Sequence, residues 1–323
     1  MAYLTRFGSF WGFVPQSSGR VFWVAPTATY TVEGNAYSAS DNNDGLSPER
    51  AFLTLTYAFT KCTANVSDVI MLLPGAHSWS ATAACNVAGV TICGIRHGIP
   101  LERSRMPGSS TRLPASITVS AATTAVLTVT AADVEIAYLH IIPVAGAGGI
   151  APSAAADRLY VHDCTFAITT AANTATMGVD VTFTGTSSSL DDVVVRNCYF
   201  HIADNQGPAI RLGATCLDMI IENSTFKLVG DTAWDDGIES PLAGTLGLFI
   251  RDCDFLQRST GTVITDCIDT TGQTIDGSTT LIRCYFAVGS DPIEDSNVAD
   301  MQVAENYLLQ GAASVGGTLI LGT

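Results

Sequence analysis

The chain has few charged side chains, and lysine is almost absent. Charged residues make up 14% of its 323 residues, against about 25% in an average soluble domain. Lysine occurs only at Lys61 and Lys227. A free monomer usually carries more surface charge than this for solubility. The shortage of charge therefore predicts that much of the outer surface lies against other protein.

A positive net charge and long apolar runs are missing as well. The formal net charge is −15 at pH 7, whereas a phosphate backbone is bound by clustered Lys and Arg side chains. Nucleic acid is therefore not expected as a partner. No apolar run of about 18 residues exists, so no transmembrane helix and no membrane partner are predicted. The N-terminus also lacks the basic and apolar segments of a secretory signal peptide.

Cysteine is present in an odd number, nine, and its spacings do not match those of zinc sites. Several of the cysteines belong to a repeated motif in which the side chains would point in parallel, an arrangement that suits a disulfide poorly. We predict nine reduced thiols in a protein that folds in a cytoplasm, with no bound metal and no cofactor.

One short pattern repeats along the second half of the chain. It reads hydrophobic, any, hydrophobic, any, acid-or-Asn, Cys-or-Ser, any, Phe, and repeats of roughly 20–50 residues are typical of solenoids. Its copies are Leu159–Phe166, Val193–Phe200, Met219–Phe226, Leu248–Phe255, a shortened Leu281–Phe286 and a degenerate Met301–Leu308. A second apolar position recurs between the copies, at Ile150, Val179, Ile210, Ile238, Ile268 and Ile293.

Two apolar registers that advance together predict an all-β fold, a right-handed parallel β-helix of about nine coils. The Phe, Cys-or-Ser and Ile positions would form internal columns. The acid-or-Asn position would form a corner, because short polar side chains tolerate left-handed backbone geometry. An antiparallel β-sandwich with chance self-similarity is the alternative, although hairpin signals are scarce.

The first 34 residues differ from the rest and are predicted to form an aromatic N-terminal arm. Such an apolar segment either covers the first coil or docks on a partner. We assign these residues to partner binding: Phe7, Phe10, Trp11, Phe13, Phe22 and Trp23.

A capping helix is predicted at about residues 48–62, with Ser47 as N-cap and Pro48 as the first helical residue. A strand with the sequence Asp68-Val-Ile-Met-Leu-Leu-Pro-Gly follows. This order of turn, helix and strand resembles the N-terminal cap of pectate-lyase-like β-helix proteins. The resemblance covers about residues 35–323 and implies one β-helix domain over that range.

Enzymes of the family that the chain resembles cleave acidic polysaccharides, and only Asp235-Asp236 echoes their hydrolase motifs. An acidic column is nevertheless predicted at Asp180, Glu239, Asp269 and Glu294, each of which follows an Ile-column position. Paired carboxylates are what glycoside hydrolysis requires. The other interpretation is an outward-facing polar position that Arg211 shares. We predict no enzymatic activity and keep a polysaccharide lyase or hydrolase as the alternative, with the catalytic candidates Asp235, Asp236, Glu239 and Asp269.

An insertion between coils at about residues 96–115 holds four of the arginines. It is interpreted either as a solvated loop or as a contact with an acidic partner surface, since arginine suits bidentate contacts with carboxylates. The arginines are Arg96, Arg103, Arg105 and Arg112.

The chain resembles tailspike-type β-helix proteins of bacteriophages, although it is shorter. The sparse charge, the aromatic arm and a strand-like C-terminal segment without a capping helix all favour assembly. We therefore predict a bacteriophage structural protein of the virion, assembled in the host cytoplasm. The first interpretation of its role is a capsid decoration, or cement, protein that forms homotrimers and contacts the major capsid protein. The alternative is a tailspike or tail fibre that binds or depolymerises a host surface glycan.

Overall fold

Successive short strands of this chain wind into one coil after another. The computed structural model describes residues 18–32, 34–95, 115–120, 125–143, 148–167, 178–181, 189–202, 207–213, 215–228, 236–239, 245–257, 266–269, 274–275, 279–287, 293–294, 302–308 and 317–318. The predicted arm residues Phe7, Phe10, Trp11 and Phe13 lie outside these ranges, as does nearly all of the predicted arginine loop.

The described residues contain one α-helix, α1 (Leu55–Lys61), and one 3₁₀ turn (Pro48–Arg50). The strands are β1 (Val21–Val24), β2 (Thr29–Val32), β3 (Asn35–Ser38), β4 (Val69–Leu72), β5 (Ala76–Trp79), β6 (Ala83–Cys85), β7 (Thr91–Gly94), β8 (Ser116–Val119), β9 (Ala125–Val129), β10 (Glu135–Ala137), β11 (His140–Ile142), β12 (Gly148–Pro152), β13 (Tyr160–His162), β14 (Thr165–Ala167), β15 (Val179–Val181), β16 (Ser189–Asp191), β17 (Val194–Arg196), β18 (Tyr199–Ile202), β19 (Ile210–Leu212), β20 (Thr215–Glu222), β21 (Thr225–Leu228), β22 (Asp236–Glu239), β23 (Thr245–Arg251), β24 (Asp254–Gln257), β25 (Asp266–Asp269), β26 (Thr274–Ile275), β27 (Thr280–Ile282), β28 (Tyr285–Ala287), β29 (Ile293–Glu294), β30 (Gln302–Ala304), β31 (Tyr307–Leu308) and β32 (Gly317–Thr318).

Three sheets run the length of the molecule, and nearly all their strands pair in parallel. Sheet I contains β1, β4, β7, β10, β13, β17, β20, β23, β27 and β30, with β16 and β26 beside this path. Sheet II contains β5, β8, β11, β14, β18, β21, β24, β28, β31 and β32, and sheet III contains β6, β9, β12, β15, β19, β22, β25 and β29. The predicted right-handed parallel β-helix is confirmed, and β1 adds a rung before the nine predicted coils.

The phenylalanines of the repeat form an internal stack, as predicted. Neighbouring rings lie 4.6–5.0 Å apart between centroids, and their planes differ by only 5–9°. All are fully buried: Phe166, Phe200, Phe226, Phe255 and Phe286. Space for the rings depends on small residues across the core, since a Cβ atom added at Gly178 would lie 2.4 Å from the Phe200 ring.

The predicted corner position has left-handed backbone geometry in every repeat copy. The φ angle is 52° at Asp163, 51° at Asn197 and 54° at Asp252. Arg283 takes the same geometry with φ of 52° and forms a bidentate ion pair with Asp252 of the preceding coil, at 2.8 and 2.9 Å. The corner therefore accepts a long side chain where it can bind the coil before it.

The nine cysteines are all free thiols, in agreement with the prediction. The four cysteines of the repeat point inward and are buried: Cys164, Cys198, Cys253 and Cys284. Burial raises the pKa of the Cys164 thiol to about 12. These side chains therefore act as small hydrophobic residues of the core.

The predicted capping helix at 48–62 is interrupted. Ser47 makes no side-chain cap, and α1 begins only after Thr54, whose hydroxyl accepts from the Tyr57 backbone N–H at 3.1 Å. The interruption has a physical cause, because Phe52 is extended and hydrogen-bonds to the edge of β1 through the Trp23 carbonyl at 2.8 Å. Phe52 is fully buried, so the segment between the two helical turns closes the first coil.

Strand β1 lies within the predicted arm, residues 1–34. This strand pairs in parallel with β4, with Val21 opposite Val69 and Val24 opposite Leu72. The chain therefore enters the β-helix at residue 21. At the other end, β32 pairs antiparallel with β31 and covers part of the last coil.

Replacing Phe226 with Ala would remove a ring from the middle of the stack. The cavity would remain open, because backbone hydrogen bonds between the strands hold the neighbouring coils in place. We expect the free energy of unfolding to fall by about 3–5 kcal/mol, as measured by urea denaturation. Leu53→Ala is the control, because Leu53 is 37% exposed and should change stability by about 0.5 kcal/mol or less. Equal effects of the two substitutions would contradict the buried stack.

Candidate functional site

The outer face of sheet I has an unusual composition. Strand residues alternate between the core and the outer face, so the second and fourth positions of each repeat copy point outward. Charged or ionisable side chains occupy the fourth position on successive strands. Partly exposed apolar or aromatic side chains occupy the second: Tyr160, Val194, Ile220 and Phe249. In a solvated strand the outward positions would be polar.

The chain itself covers this face at its N-terminal end. The β2–β3 hairpin contributes Tyr30 and Val32 to a second apolar cluster, outside the main core. Outward residues of sheet I are buried in that cluster: Trp23, Met71, Cys93 and Ala137. Among the described residues the cluster ends near Ala137, whereas the sheet continues through six further rungs.

At the end of the covered part, a histidine joins two carboxylates. The His162 Nε2 atom lies 2.8 Å from Glu135 Oε1, and its Nδ1 atom lies 2.8 Å from Asp163 Oδ2. Thr91 donates a further hydrogen bond to Glu135 at 2.7 Å, and the Tyr160 ring stacks on the imidazole at 4.2 Å. Both ring nitrogens are engaged, so His162 has no free nitrogen for acid–base catalysis and instead links neighbouring coils.

The protonation of this histidine is set by opposing effects. Burial lowers the pKa of His162, but the hydrogen bonds to Asp163 and Glu135 outweigh it and leave the pKa above its usual value. The hydrogen bond from His162 in turn holds the pKa of Glu135 below its usual value. His162 and Glu135 therefore form an imidazolium–carboxylate pair at mildly acidic pH.

Beyond this histidine, two arginines share one buried glutamate. Glu222 is bound by Arg196, at 3.2 Å from its Nε atom, and by Arg251. The glutamate side chain is only 7% exposed, whereas the arginine side chains are 47% and 41% exposed. Arg251 also lies over the Phe249 ring at 5.3 Å, and Arg196 hydrogen-bonds to Tyr160. The result is a locally positive, partly apolar surface on an acidic protein.

Sheet III carries the predicted acidic column, and its register is confirmed. Asp180 pairs with Arg211, Arg211 with Glu239, and Glu239 with Asp269 on successive strands. The Arg211 Nε atom lies 2.8 Å from Glu239 Oε2. The column is thus an outward polar position in which one arginine neutralises part of the acidic charge.

The predicted catalytic residues are only partly brought together. Glu239 and Asp269 are neighbours in this column, whereas Asp236 pairs in register with Asp266 and is 7% exposed. Asp235 lies outside the described residues. Within the described residues, no group of three or more His, Cys, Asp or Glu side chains is arranged to hold a metal ion.

The structure describes two of the aromatic residues that were predicted to bind a partner. Phe22 is 2% exposed and packs in the main core, and Trp23 is 8% exposed and belongs to the second apolar cluster. Both are therefore occupied by contacts within the chain. Arg96, Arg103, Arg105 and Arg112 lie outside the described residues, and their role stays a prediction.

The residues of the sheet I face were missed by the sequence analysis, although a signal was present. The fourth position of the repeat copies is occupied by His162, Arg196, Glu222 and Arg251. From Arg196 onward, its charge alternates between positive, negative and positive. The repeat pattern itself allows any residue at this position. Its charge pattern becomes meaningful only when the coils are known to stack in register.

Comparison with known proteins supports the fold. No protein-family model and no curated protein matches this chain. A solved pectin methylesterase in complex with a hexasaccharide is 10% identical, with a TM-score of 0.50 over 82% of this chain and 87% of that chain. At this identity the similarity shows a shared parallel β-helix fold alone.

Two other solved structures are more distant in shape. A pectin methylesterase from Erwinia chrysanthemi is 11% identical, with a TM-score of 0.48 over 93% of this chain and 92% of that chain. A tailspike protein from an Acinetobacter baumannii bacteriophage, a capsular polysaccharide depolymerase, is 10% identical, with a TM-score of 0.32 over 78% of this chain and 57% of that chain. In the described part of the chain, no helix is long and apolar enough to cross a membrane.

Replacing His162 with Gln tests the charged histidine pair. Because folding raises the pKa of His162 above its unfolded value of about 6.5, its stabilising contribution is complete below about pH 6.5 and is lost as the pH rises through the folded value. The difference in free energy of unfolding between wild type and His162→Gln should therefore shrink as the pH rises above about 6.5.

His201→Gln is the control of opposite sign. Burial, with a smaller contribution from Lys227, lowers the pKa of His201, so its contribution is present above about pH 6.5 and is lost as the pH falls through the folded value. Urea denaturation across the pH range measures both differences. Parallel pH profiles for the two variants would contradict the assigned hydrogen bonds of His162.

Proposed function

We propose that this chain is a bacteriophage structural protein that works as a side-by-side assembly of β-helices, with capsid decoration as its role. The bacteriophage assignment rests on the tailspike-type resemblance, the sparse charge and the aromatic segment that begins the chain. Decoration adds rigid subunits to a shell and stabilises the shell by burying surface at subunit joints, because binding to the assembled state stabilises it by mass action.

The observation that carries the proposal is the apolar outer face of sheet I. Val194, Ile220 and Phe249 occupy outward positions on consecutive strands and stay partly exposed. Partly exposed apolar side chains on adjacent strands make this face a candidate interaction site. The chain covers the N-terminal part of the same face with its own hairpin, so a second cover of similar character is expected further along.

The oligomeric state and the copy number test this proposal. We expect light scattering after gel filtration to give three times the chain mass of 33.8 kDa. In purified particles, quantitative mass spectrometry should give a copy number comparable to that of the major capsid protein. A copy number typical of a tail component would contradict capsid decoration, and a monomer would contradict the assembly itself.

A second candidate function is binding or cleavage of a host surface glycan. It is favoured by the carboxylates of sheet III, where Glu239 and Asp269 lie side by side and Asp236 is nearly buried on the same strand as Glu239. A pair of neighbouring carboxylates can supply the acid and the base that glycoside hydrolysis requires.

An assay on acidic polysaccharides distinguishes the two functions. We expect wild-type protein to release neither reducing ends nor unsaturated products, because Arg211 neutralises Glu239. Asp236→Asn, which keeps the side-chain shape, is the matched control. Cleavage by wild type that is lost in this variant would replace the structural assignment with an enzymatic one.

A further inference from the structure

We propose that copies of this chain associate through two different faces, the outer face of sheet I on one copy and the outer face of sheet III on the next. This inference rests on the assembly in the proposed function and names the surfaces that form it. The partner is a second copy of the same chain, because the order of charges along one face is the opposite of the order along the other.

On sheet I, three consecutive strands carry the charges plus, minus, plus. Arg196 on β17 pairs in register with Glu222 on β20, which pairs with Arg251 on β23. Glu222 is covered by the arginines, and each arginine keeps more than two fifths of its side chain exposed. An arginine has five N–H donors in a fixed fork, so donors remain for an incoming carboxylate.

On sheet III, three consecutive strands carry the opposite order, minus, plus, minus. Asp180 on β15 pairs in register with Arg211 on β19, which pairs with Glu239 on β22. The arginine and glutamate side chains are 32% and 17% exposed. Asp269 continues the column on the next strand. By sequence and register, this column therefore has an acidic residue on either side of one arginine.

The two sets of charges belong to the same coils. Each of the three sheet III strands comes shortly before its sheet I counterpart in the chain: β15 before β17, β19 before β20, and β22 before β23. A rotation axis parallel to the coil axis places equivalent coils of all copies at one height. Positions of opposite charge then face one another at three consecutive rungs, which are spaced by about 4.8 Å on both faces.

The neighbouring residues fit the same arrangement. One rung earlier, sheet I presents the stacked rings of Tyr160 and His162, whereas sheet III presents the small side chain of Ala151 on the adjacent β12. Large rings on one face thus oppose a small residue on the other. Burial of Val194, Ile220 and Phe249 would drive association, and the charges would fix the register between copies.

Two face-specific variants test the inference. Ile220→Lys places a charge in the apolar part of the sheet I face. Glu239→Arg reverses the last of the three charges on sheet III, Asp180, Arg211 and Glu239. We expect each variant alone to fall from the trimeric mass to the mass of one chain. A mixture of the two should recover a dimer, because one intact sheet I face and one intact sheet III face remain.

The outcomes of the mixing experiment separate the inference from the proposed function. A monomeric wild type would overturn both. Trimers that persist in both variants would show that other faces form the assembly. A mixture of the two variants that stays monomeric would also contradict the two faces, because an interface that uses the same face on both copies cannot be restored by mixing. Either result would leave the assembly itself standing. Circular dichroism of each variant controls for folding.

Arg251→Lys gives a milder test that keeps the charge. The wild-type chain has only two lysines, so a carbodiimide that couples amines to carboxylates will act on few sites. We expect coupling between position 251 of one copy and Glu239 of another, detected as a cross-linked dimer whose peptides are identified by mass spectrometry. Coupling of position 251 only to Glu222 within one chain would overturn the inference.

Discussion

The parallel register between coils is the constraint on which every other feature of this molecule depends. Side chains alternate across a strand, so a slip of one residue would exchange the inner and outer faces of a whole coil. The left-handed corner after each sheet I strand fixes that register, because it turns the chain at the same residue in every repeat copy. The phenylalanine stack and both charge columns follow from it.

Charges on the outer faces contribute to specificity more than to stability. Glu222 is buried between Arg196 and Arg251, and a buried charge that lost its partners would cost several kcal/mol, on the order of 3–5. A misregistered coil would remove such partners. The outer columns therefore disfavour alternative windings of a chain whose repeats are similar enough to be exchanged.

The internal half of the structure could be predicted from the sequence, and the outer half could not. The phenylalanine and isoleucine columns recur at the same position of each repeat copy, although the copies are unequally spaced, because their side chains must meet inside a close-packed core. Outward positions meet no such requirement, so the charge pattern of Arg196, Glu222 and Arg251 is recognisable only from the register of the stacked strands.

The predicted capping helix is too long for a related reason: Ser47 and Pro48 are good local signals, but the tertiary contact of Phe52 with β1 overrides them. The burial of Phe22 and Trp23 likewise depends on the pairing of β1 with β4, which local composition does not report.

The buried cysteines of the repeat label four of the coils. Cys164, Cys198, Cys253 and Cys284 lie on different coils and are buried, and a buried thiol reacts only when its coil opens to solvent. The rate at which each cysteine is alkylated in the native protein therefore measures the opening of one turn of the β-helix. Read along the chain, the four rates would show whether the molecule unwinds from one end or separates as a single cooperative unit.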